Sequence, residues 1–255
     1  MMMFMIRKSI VTAVLLMTVV SALAQSAKGT FTVQPQVGAT VATIANMEKY
    51  RLNGSSQPLD VFVNAGLFFG VEFAYQLYDV VNIAVGINWS QQGVAWETYD
   101  LYNNATYVPY DGIASQLFST DVDVKNLRVR DKVELGYLNL PVVASVYLYK
   151  GLAVKAGVQL GYLTNATERT RFMGDGLDFG RDMNFDVDLS RSVYEDCRKF
   201  DISVPIGISY ELKVPVVIDA RYNIGLTKVN KESIEGEKDW KNGVFRITVG
   251  YKFKL

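Results

Sequence analysis

The sequence predicts an all-β fold, a transmembrane up-and-down antiparallel β-barrel of about eight strands. Three observations predict it. Apolar and polar residues alternate with period two along most of the chain, short and long connections follow each other in turn, and glycines share the polar face of the strands. Because no segment after residue 25 approaches about 18 consecutive apolar residues, only a closed barrel could carry this chain across a membrane.

The N-terminus predicts an export signal at residues 1–24. Two basic residues precede an apolar run at 10–20, and a small-x-small pattern then predicts cleavage between Ala24 and Gln25. An uncleaved anchor is the alternative, but a bilayer needs about 20 apolar residues and this run is shorter. We therefore expect an exported protein whose barrel domain occupies residues 25–255.

Period-two alternation defines the strands, and it is clearest at 67–77, where the odd positions are large and apolar. Eight such segments are predicted, at 30–44, 60–77, 80–99, 132–149, 152–166, 199–213, 216–230 and 242–255. Three connections are tight hairpin turns. The other four are long and polar, at 45–59, 100–131, 167–198 and 231–241. This arrangement is typical of barrels with short periplasmic turns, long extracellular loops and both termini in the periplasm.

Three prolines, Pro35, Pro141 and Pro205, fall inside predicted strands, where each removes a ladder hydrogen bond. A closed barrel has no free edge to accommodate them. We therefore expect local bulges or bends at these positions, or strands that begin near them.

The apolar face is predicted to point outward, towards lipid. A soluble barrel would alternate in the same way with its apolar face inward, but about five large side chains per strand would not fit inside eight strands. Aromatic residues also gather near both ends of the apolar face, as interfacial girdles do, although aromatics favour strands in any case. The predicted periplasmic girdle contains Tyr75, Tyr210, Tyr251 and Phe253, and the outer girdle contains Trp89, Tyr162, Phe200 and Phe245.

Charged residues on the inward face form the candidate functional site. They are Glu72, Asp201, Glu211 and Asp219 against Lys155, Arg221, Arg246 and Lys252. Charges of one sign would favour an ion-selective pore, whereas this balanced set favours ion pairs that fill the lumen. We expect Glu72 and Arg221 in one buried network, and we keep an open conduit as the alternative.

The composition excludes several functions. There is no histidine, so Ser-His-Asp and Cys-His catalysis and histidine-ligated metal sites are excluded, and the single cysteine cannot form an internal disulfide. With 26 basic and 26 acidic residues, no global basic field favours nucleic-acid binding. Glu211 and Asp219 could act as paired carboxylates, but their positions beside one turn favour hairpin neighbours. We expect no enzyme activity and no cofactor.

Two long connections carry distinctive residues. The segment 167–198 combines aspartates and arginines at a density that suits either calcium or a mixed-charge surface near lipopolysaccharide, and its spacing matches no EF-hand. The segment 100–131 is rich in Tyr, Asn and Asp, which suits either a recognition surface or a capping loop. Cys197, at the end of the first segment, is expected to pack as a small hydrophobe.

A family resemblance rests on a set of barrel-wall motifs. They are Tyr137-Leu138-Asn139-Leu140-Pro141-Val142, 155–162, Ser90-Gln91-Gln92-Gly93, 220–226 and the ending Gly250-Tyr251-Lys252-Phe253. As a set, they resemble the PorT-like "porin family" of outer-membrane β-barrels over about residues 30–255. The chain departs from the usual terminal aromatic, because Lys254 and Leu255 follow Phe253. The family's namesake assists protein secretion, but none of the matching residues forms a functional site.

The resemblance implies a bacterial outer-membrane location. Expected partners are outer-membrane lipid and lipopolysaccharide, the outer-membrane assembly machinery, and a secretion or envelope protein. The leading hypothesis is a non-enzymatic barrel, structural or an interaction module, that acts through its extracellular loops. The alternative is a transport or protein-secretion accessory, a small porin-like conduit.

Overall fold

The computed structural model describes residues 27–46, 60–98, 123–149, 151–178, 181–231 and 239–255. Ten strands run through these residues: β1 Phe31–Ala45, β2 Asp60–Tyr78, β3 Val81–Thr98, β4 Asp123–Tyr149, β5 Leu152–Asp178, β6 Arg181–Ser192, β7 Phe200–Glu211, β8 Val216–Lys228, β9 Lys241–Tyr251 and β10 Phe253–Lys254. A single 3-10 turn, Tyr194–Asp196, lies between β6 and β7. No helix in this part of the chain is long and apolar enough to cross a membrane. The predicted cleavage site at Ala24 and Gln25 lies outside the described residues.

Eight strands close into a ring, which confirms the predicted antiparallel barrel. They pair in the order β1-β2-β3-β4-β5-β7-β8-β9, and β9 pairs back with β1. Following paired residues once around the ring from Phe31 leads back to β1 at Val41, ten residues further along the strand. Eight strands with such a stagger tilt by about 35–45° and leave an interior that side chains can fill.

The extracellular side is more ordered than the sequence predicted. The segment 167–198 is not a polar loop, because β5 continues to Asp178 and pairs with β6 over the whole length of β6. β4 begins at 123 rather than 132 and flanks the upper part of β5. We call these three paired segments, 123–135, 166–178 and β6, the extracellular sheet. Its strands were missed because polar residues occupy both faces, so they lack the apolar alternation that marks the membrane strands.

The three prolines interrupt the ladder without shifting its register, which corrects the expectation of bulges. Pro35 lies opposite the break between β9 and β10, where Lys252 leaves the strand. Pro141 lies where the β3–β4 pairing skips two residues, and Pro205 lies at a similar gap between β5 and β7. A proline has no N–H to donate, so each barrel rung is lost where the donor is missing.

The barrel wall has the predicted orientation. Outward side chains are apolar and exposed, as with Phe200 at 72% and Leu67 at 65%, whereas inward charged side chains such as Arg221 are fully buried. Glycines lie on the inward face and allow close packing: a Cβ at Gly157 would overlap the backbone of Val142. An apolar outer band around a polar interior is the pattern of a membrane barrel.

The pattern reverses where the strands leave the membrane. A β-bulge at Thr164 inserts one extra residue into β5, opposite the step from Gly136 to Tyr137. Around and above it, apolar inward residues form two clusters, beside the buried carboxyl groups of Asp131 and Glu168. The first contains Leu135, Tyr137, Leu163, Ala166, Val193, Cys197 and Val229, and the second contains Ile44, Val94 and Trp96. Half-buried Val133 packs against both clusters, so apolar side chains cover part of the extracellular end of the polar lumen.

Candidate functional site: the charge network of the lumen

Arg221 is the centre of the lumen network. Its guanidinium makes a two-point ion pair with Glu72, with Nη1–Oε1 at 2.6 Å and Nη2–Oε2 at 2.9 Å. The same group donates from Nη2 to Oδ2 of Asp219 at 2.9 Å, and its Nε lies 2.7 Å from Oδ1 of the same carboxylate. All three side chains are almost completely buried. Arginine suits this position because its planar fork can bind two carboxylates at once.

Lys155 extends the network to a third strand. Its Nζ lies 2.7 Å from Oδ2 of Asp219 and 3.9 Å from Oε2 of Glu72. Glu72 is on β2, Lys155 is on β5, and Asp219 and Arg221 are on β8. These strands are not neighbours in the ring, so the ion pairs cross the interior rather than follow the wall.

Arg246 lies beside the network without a carboxylate of its own. It stands opposite Arg221 in the β8–β9 register, and its guanidinium carbon lies 4.4 Å from the ring centre of Phe68. Among the described residues, no acidic side chain lies within ion-pair distance of it. Stacking on an aromatic ring compensates in part for the cost of burying this cation.

A second cluster lies at the periplasmic end of the lumen. Lys252 and the hydroxyl of Tyr147 both donate to Oε1 of Glu211, and the Lys252 Nζ lies 3.3 Å from the Tyr147 oxygen. Glu211 and Asp219, the candidate paired carboxylates, therefore each have their own cationic partner. The two clusters stand at different heights, and the structure does not bring their carboxylates together into one acid–base pair.

Asp201 belongs to neither cluster. It lies near the extracellular end of β7, where its Oδ1 accepts a hydrogen bond of 2.7 Å from the Thr227 hydroxyl. The four acids and four bases therefore balance over the lumen as a whole but not locally. The central cluster has three cations and two carboxylates, the periplasmic cluster has one of each, and Asp201 adds one carboxylate.

Buried amides fill the lumen between the charges. The Asn139 amide nitrogen donates to Oδ1 of Asn88 and to the Ser90 hydroxyl, both at 3.0 Å. The Gln159 amide in turn donates to Oδ1 of Asn139 at 3.2 Å. These amides and Tyr147 were not predicted as site residues, although all of them stand at inward positions of the same alternation. They carry no charge, and the prediction rested on charged residues.

The predicted girdle residues lie at both ends of the outward face. At the outer level, Trp89 stacks on Phe69 with ring centres 5.3 Å apart, and Tyr162 meets Phe200 edge-on at the same distance. At the periplasmic level, Tyr75 packs against Phe31 at 4.5 Å and Tyr251 against Phe253 at 4.7 Å. Of the remaining two predicted members, Phe245 is exposed at the outer level and Tyr210 is half-buried at the periplasmic level.

A buried carboxyl group lies at the base of the extracellular sheet. Asp131 accepts a 2.5 Å hydrogen bond from the Thr170 hydroxyl and is 5% exposed. Burial, together with the nearby charge of Glu168, raises the pKa of Asp131 to about 6, although hydrogen bonds from Thr170 and Trp96 oppose the shift. Glu168 is itself paired with Arg191 at 2.5 Å.

Two aspartates of 167–198, Asp186 and Asp188, are engaged by arginine. Arg171 donates to Asp186 through two nitrogens and lies 3.8 Å from Asp188. These hydrogen bonds hold the pKa of Asp186 below its usual range. In the part of the chain that the structure describes, no group of three or more acidic or cysteine side chains could hold a metal ion. The side chains of Asp175, Asp178 and Asp182 lie outside the described set.

Cys197 packs in the first apolar cluster at 7% exposure. Burial raises the pKa of its thiol to about 11, so the thiol stays protonated and packs as a small hydrophobe.

The chain was compared with curated proteins, solved structures and family models. No curated protein matches the chain. Ail, the attachment invasion locus protein of Yersinia pestis, is similar at 13% identity over 89% of this chain and 99% of its own, with a TM-score of 0.39. Neisserial surface protein A is similar at 13% identity, over 88% and 97% respectively, with a TM-score of 0.36. The N-terminal β-barrel domain of Pseudomonas aeruginosa OprF is similar at 10% identity, over 86% and 97%, with a TM-score of 0.28.

The family model described as "Outer membrane protein beta-barrel domain" matches residues 23–231, which include seven of the eight barrel strands. The chain therefore belongs to the outer-membrane protein β-barrel domain family.

Proposed function

We propose that this outer-membrane barrel is a non-enzymatic interaction module, with a lumen closed by charge pairs and an active surface on the extracellular side. The central observation is the contact between Glu72 of β2 and Arg221 of β8, two strands that are three steps apart in the ring. An ion pair between such strands must span the lumen. Lys155 approaches the same two carboxylates from β5, so side chains from three directions meet at one level.

Two further features support a closed lumen. Above the central cluster, the two apolar clusters line the extracellular end of the barrel. Below it, Tyr147, Glu211 and Lys252 occupy the periplasmic end. An interior of eight strands is narrow enough for these side chains to fill it.

Planar-bilayer recording tests the closed lumen. We expect no stable single-channel openings from the purified barrel in concentrated KCl, because ions would have to displace the central ion pairs. Asp201→Asn provides a matched control, since it removes an inward charge outside both clusters and should leave the bilayer equally silent. Stable openings of the wild-type barrel would contradict the proposal and favour the small conduit.

The extracellular sheet is the surface that we propose for interaction. Its upper strands extend beyond the barrel, and the Arg171, Asp186 and Asp188 side chains stand exposed on it. Photo-crosslinking from position 190 in intact outer membranes tests this role, with position 158 on the lipid-facing wall as control. We expect a discrete adduct with protein or lipopolysaccharide from position 190 and phospholipid adducts from position 158. Identical adducts from both positions would contradict it.

We also propose that, within the outer-membrane barrel family, this chain is nearest to the PorT-like group. Support comes from the 137–142 motif and the Gly250–Phe253 ending, which form the wall on both sides of the lumen network. Membership would not by itself bring a role in secretion, since these residues shape the barrel. Co-purification with a secretion complex would give the accessory role its first support.

A further inference from the structure

We propose that the periplasmic turn between β7 and β8 is a binding site for an anionic phospholipid of the periplasmic leaflet. The turn borders a cavity of about 170 Å³ at the barrel rim. The cavity is lined by the turn residues, by Glu211 and by two lysines of the C-terminal segment, Lys252 and Lys254. A single water needs only roughly 15 Å³ of such space, so a phosphate group fits.

The charges of this cavity are unequal, and the excess is positive. Lys213, Lys252 and Lys254 face one carboxylate, Glu211, which is already engaged by Lys252 and Tyr147. The side chains of Lys213 and Lys254 are exposed, and no carboxylate of the described residues pairs with either. Two uncompensated ammonium groups beside one cavity attract a phosphate, and each contributes to binding at a membrane surface.

Apolar groups adjoin the same cavity on its membrane side. Val214 is 56% exposed at the tip of the turn, and Phe253 and Leu255 are 51% and 82% exposed beside it. Ile218 and Tyr251 continue the outward apolar surface towards the bilayer centre. A ligand with a phosphate head and acyl chains would place each part against a matching surface. A free phosphate would use only the lysines.

The turn is held in place by backbone hydrogen bonds. Leu212 donates to the carbonyl of Val216 at 2.9 Å, and Lys252 donates to the carbonyl of Pro215 at 2.7 Å. The second bond ties the turn to the C-terminal segment, so the two free lysines are presented from a fixed frame. A site with a fixed frame loses less entropy on binding than one on a free loop.

Native mass spectrometry with phosphatidylglycerol tests the site. The wild-type barrel, the double variant Lys213→Gln/Lys254→Gln and the control Lys28→Gln are titrated in detergent. Lys28 is also a lysine at the periplasmic end, but it lies over the ring of Tyr78 at the end of β2 and does not line the cavity. We expect the double variant to retain roughly tenfold less lipid, whereas Lys28→Gln matches the wild type. Equal retention by all three proteins would overturn the proposal.

Two further arms locate the ligand and identify its source. A photoreactive phosphatidylglycerol should crosslink to the peptide that contains residues 212–217, and crosslinks spread evenly over all periplasmic turns would overturn the proposal. Glycerol phosphate should not compete with the lipid. If it competes fully, the cavity binds a soluble phosphate and the assignment to lipid is wrong. These arms do not depend on conductance, so they fail separately from the closed-lumen proposal.

Discussion

The membrane part of the barrel and its extracellular end are built from the same strands with opposite patterns. Below Thr164, β5 presents Val158, Leu160 and Tyr162 outward and Lys155 inward. Above the bulge, the same strand presents Arg169 outward and buries Ala166 and Phe172 together with Glu168. The surroundings explain this change of pattern, because lipid surrounds β5 below Thr164 and water surrounds it above. β5 is therefore apolar on its outer face in the membrane and charged on that face above it, and the one-residue bulge at Thr164 lies between the two parts.

The two parts also differ in what their charges contribute. In the membrane part, ion pairs are buried and cross the lumen, so the loss of one partner leaves another charge without compensation. In the extracellular sheet, at least one partner of each pair is exposed, as Arg169 and Arg171 are, so water can replace much of what is lost when that partner is removed. Similar pairs of residues should therefore have very different effects on stability.

Removing one central charge should produce the largest effect. We expect Arg221→Met to lower the free energy of unfolding by about 3–5 kcal/mol, because Glu72 and Asp219 would remain buried without their main partner. The control Arg169→Met removes a guanidinium 3.2 Å from Glu134 on the extracellular sheet and should cost less than about 1 kcal/mol. Urea unfolding in vesicles measures both. Equal losses of unfolding free energy in the two variants would contradict the distinction between buried ion pairs in the lumen and exposed pairs on the extracellular sheet.

A charge placed on the outward face should reveal where the membrane ends. Leu160 is 56% exposed to lipid, and Leu160→Arg should cost about 2–4 kcal/mol near the bilayer centre. The control Ser192→Arg places the same group on an exposed position of β6, where about 0.5 kcal/mol or less is expected. The same unfolding assay applies. A tolerated arginine at position 160 would mean that this face is not in lipid.

Substitution of Gly93, which lies where β3 approaches the extracellular sheet, should lower stability. Gly93 has φ at +124°, and a Cβ there would overlap the carbonyl oxygen of Val133 on β4. We expect Gly93→Ala to lower stability by about 1–3 kcal/mol, because strained backbone is tolerated only without a side chain. Gly86→Ala, where the nearest heavy atoms would lie 3.1 Å away, should cost less. If Gly93→Ala and Gly86→Ala unfold at the same urea concentration, the special requirement for glycine at position 93 is contradicted.

Acidity should stabilise the extracellular sheet. Because the pKa of Asp131 rises from 3.8 in the unfolded chain to about 6, the folded state binds more protons between these values. Local stability should therefore fall as pH rises through this window, by about 2 kcal/mol at most. Thr170, Glu168, Trp96 and Arg191 are the groups whose contacts or charges act on this carboxyl.

Hydrogen exchange of 166–178 at pH 5 and pH 7, corrected for intrinsic rates, measures this change. Asp131→Asn cannot titrate and should make protection equal at the two pH values. A wild-type protein that is better protected at pH 7 would contradict the sign.

The smallest effect should come from the exposed pair of Arg171 and Asp186. Both side chains are about half exposed, so solvent screens their attraction. Asp186→Asn should leave the unfolding transition of the barrel unchanged within error, and added salt should not distinguish it from wild type. A clear shift in the urea midpoint would show that the extracellular sheet supports the barrel more than its exposure suggests.

The membrane strands and their inward charges could be predicted from sequence because alternation with period two assigns every residue to a face. The contact between Glu72 and Arg221 was expected from their inward positions, and the structure has it. The partners of the other inward charges, such as Lys155 with Asp219, could not be predicted, because they are set by the barrel's register, and register depends on bulges and stagger. The extracellular sheet was missed for a related reason. Outside the membrane, strands need no continuous apolar face, and strands rich in charged residues resemble loops in sequence.

A nitroxide scan along the outward face of β5 tests the reversal at Thr164 most directly. Labels at positions 158, 160 and 162 should collide mainly with oxygen dissolved in lipid, and labels at 169 and 171 with a water-soluble nickel reagent. Replacing Cys197 with alanine leaves one reactive thiol in each variant. The crossover should fall within a few residues of Thr164. A lipid-like profile that continues through 169 and 171, or an aqueous profile at 158, would contradict the account.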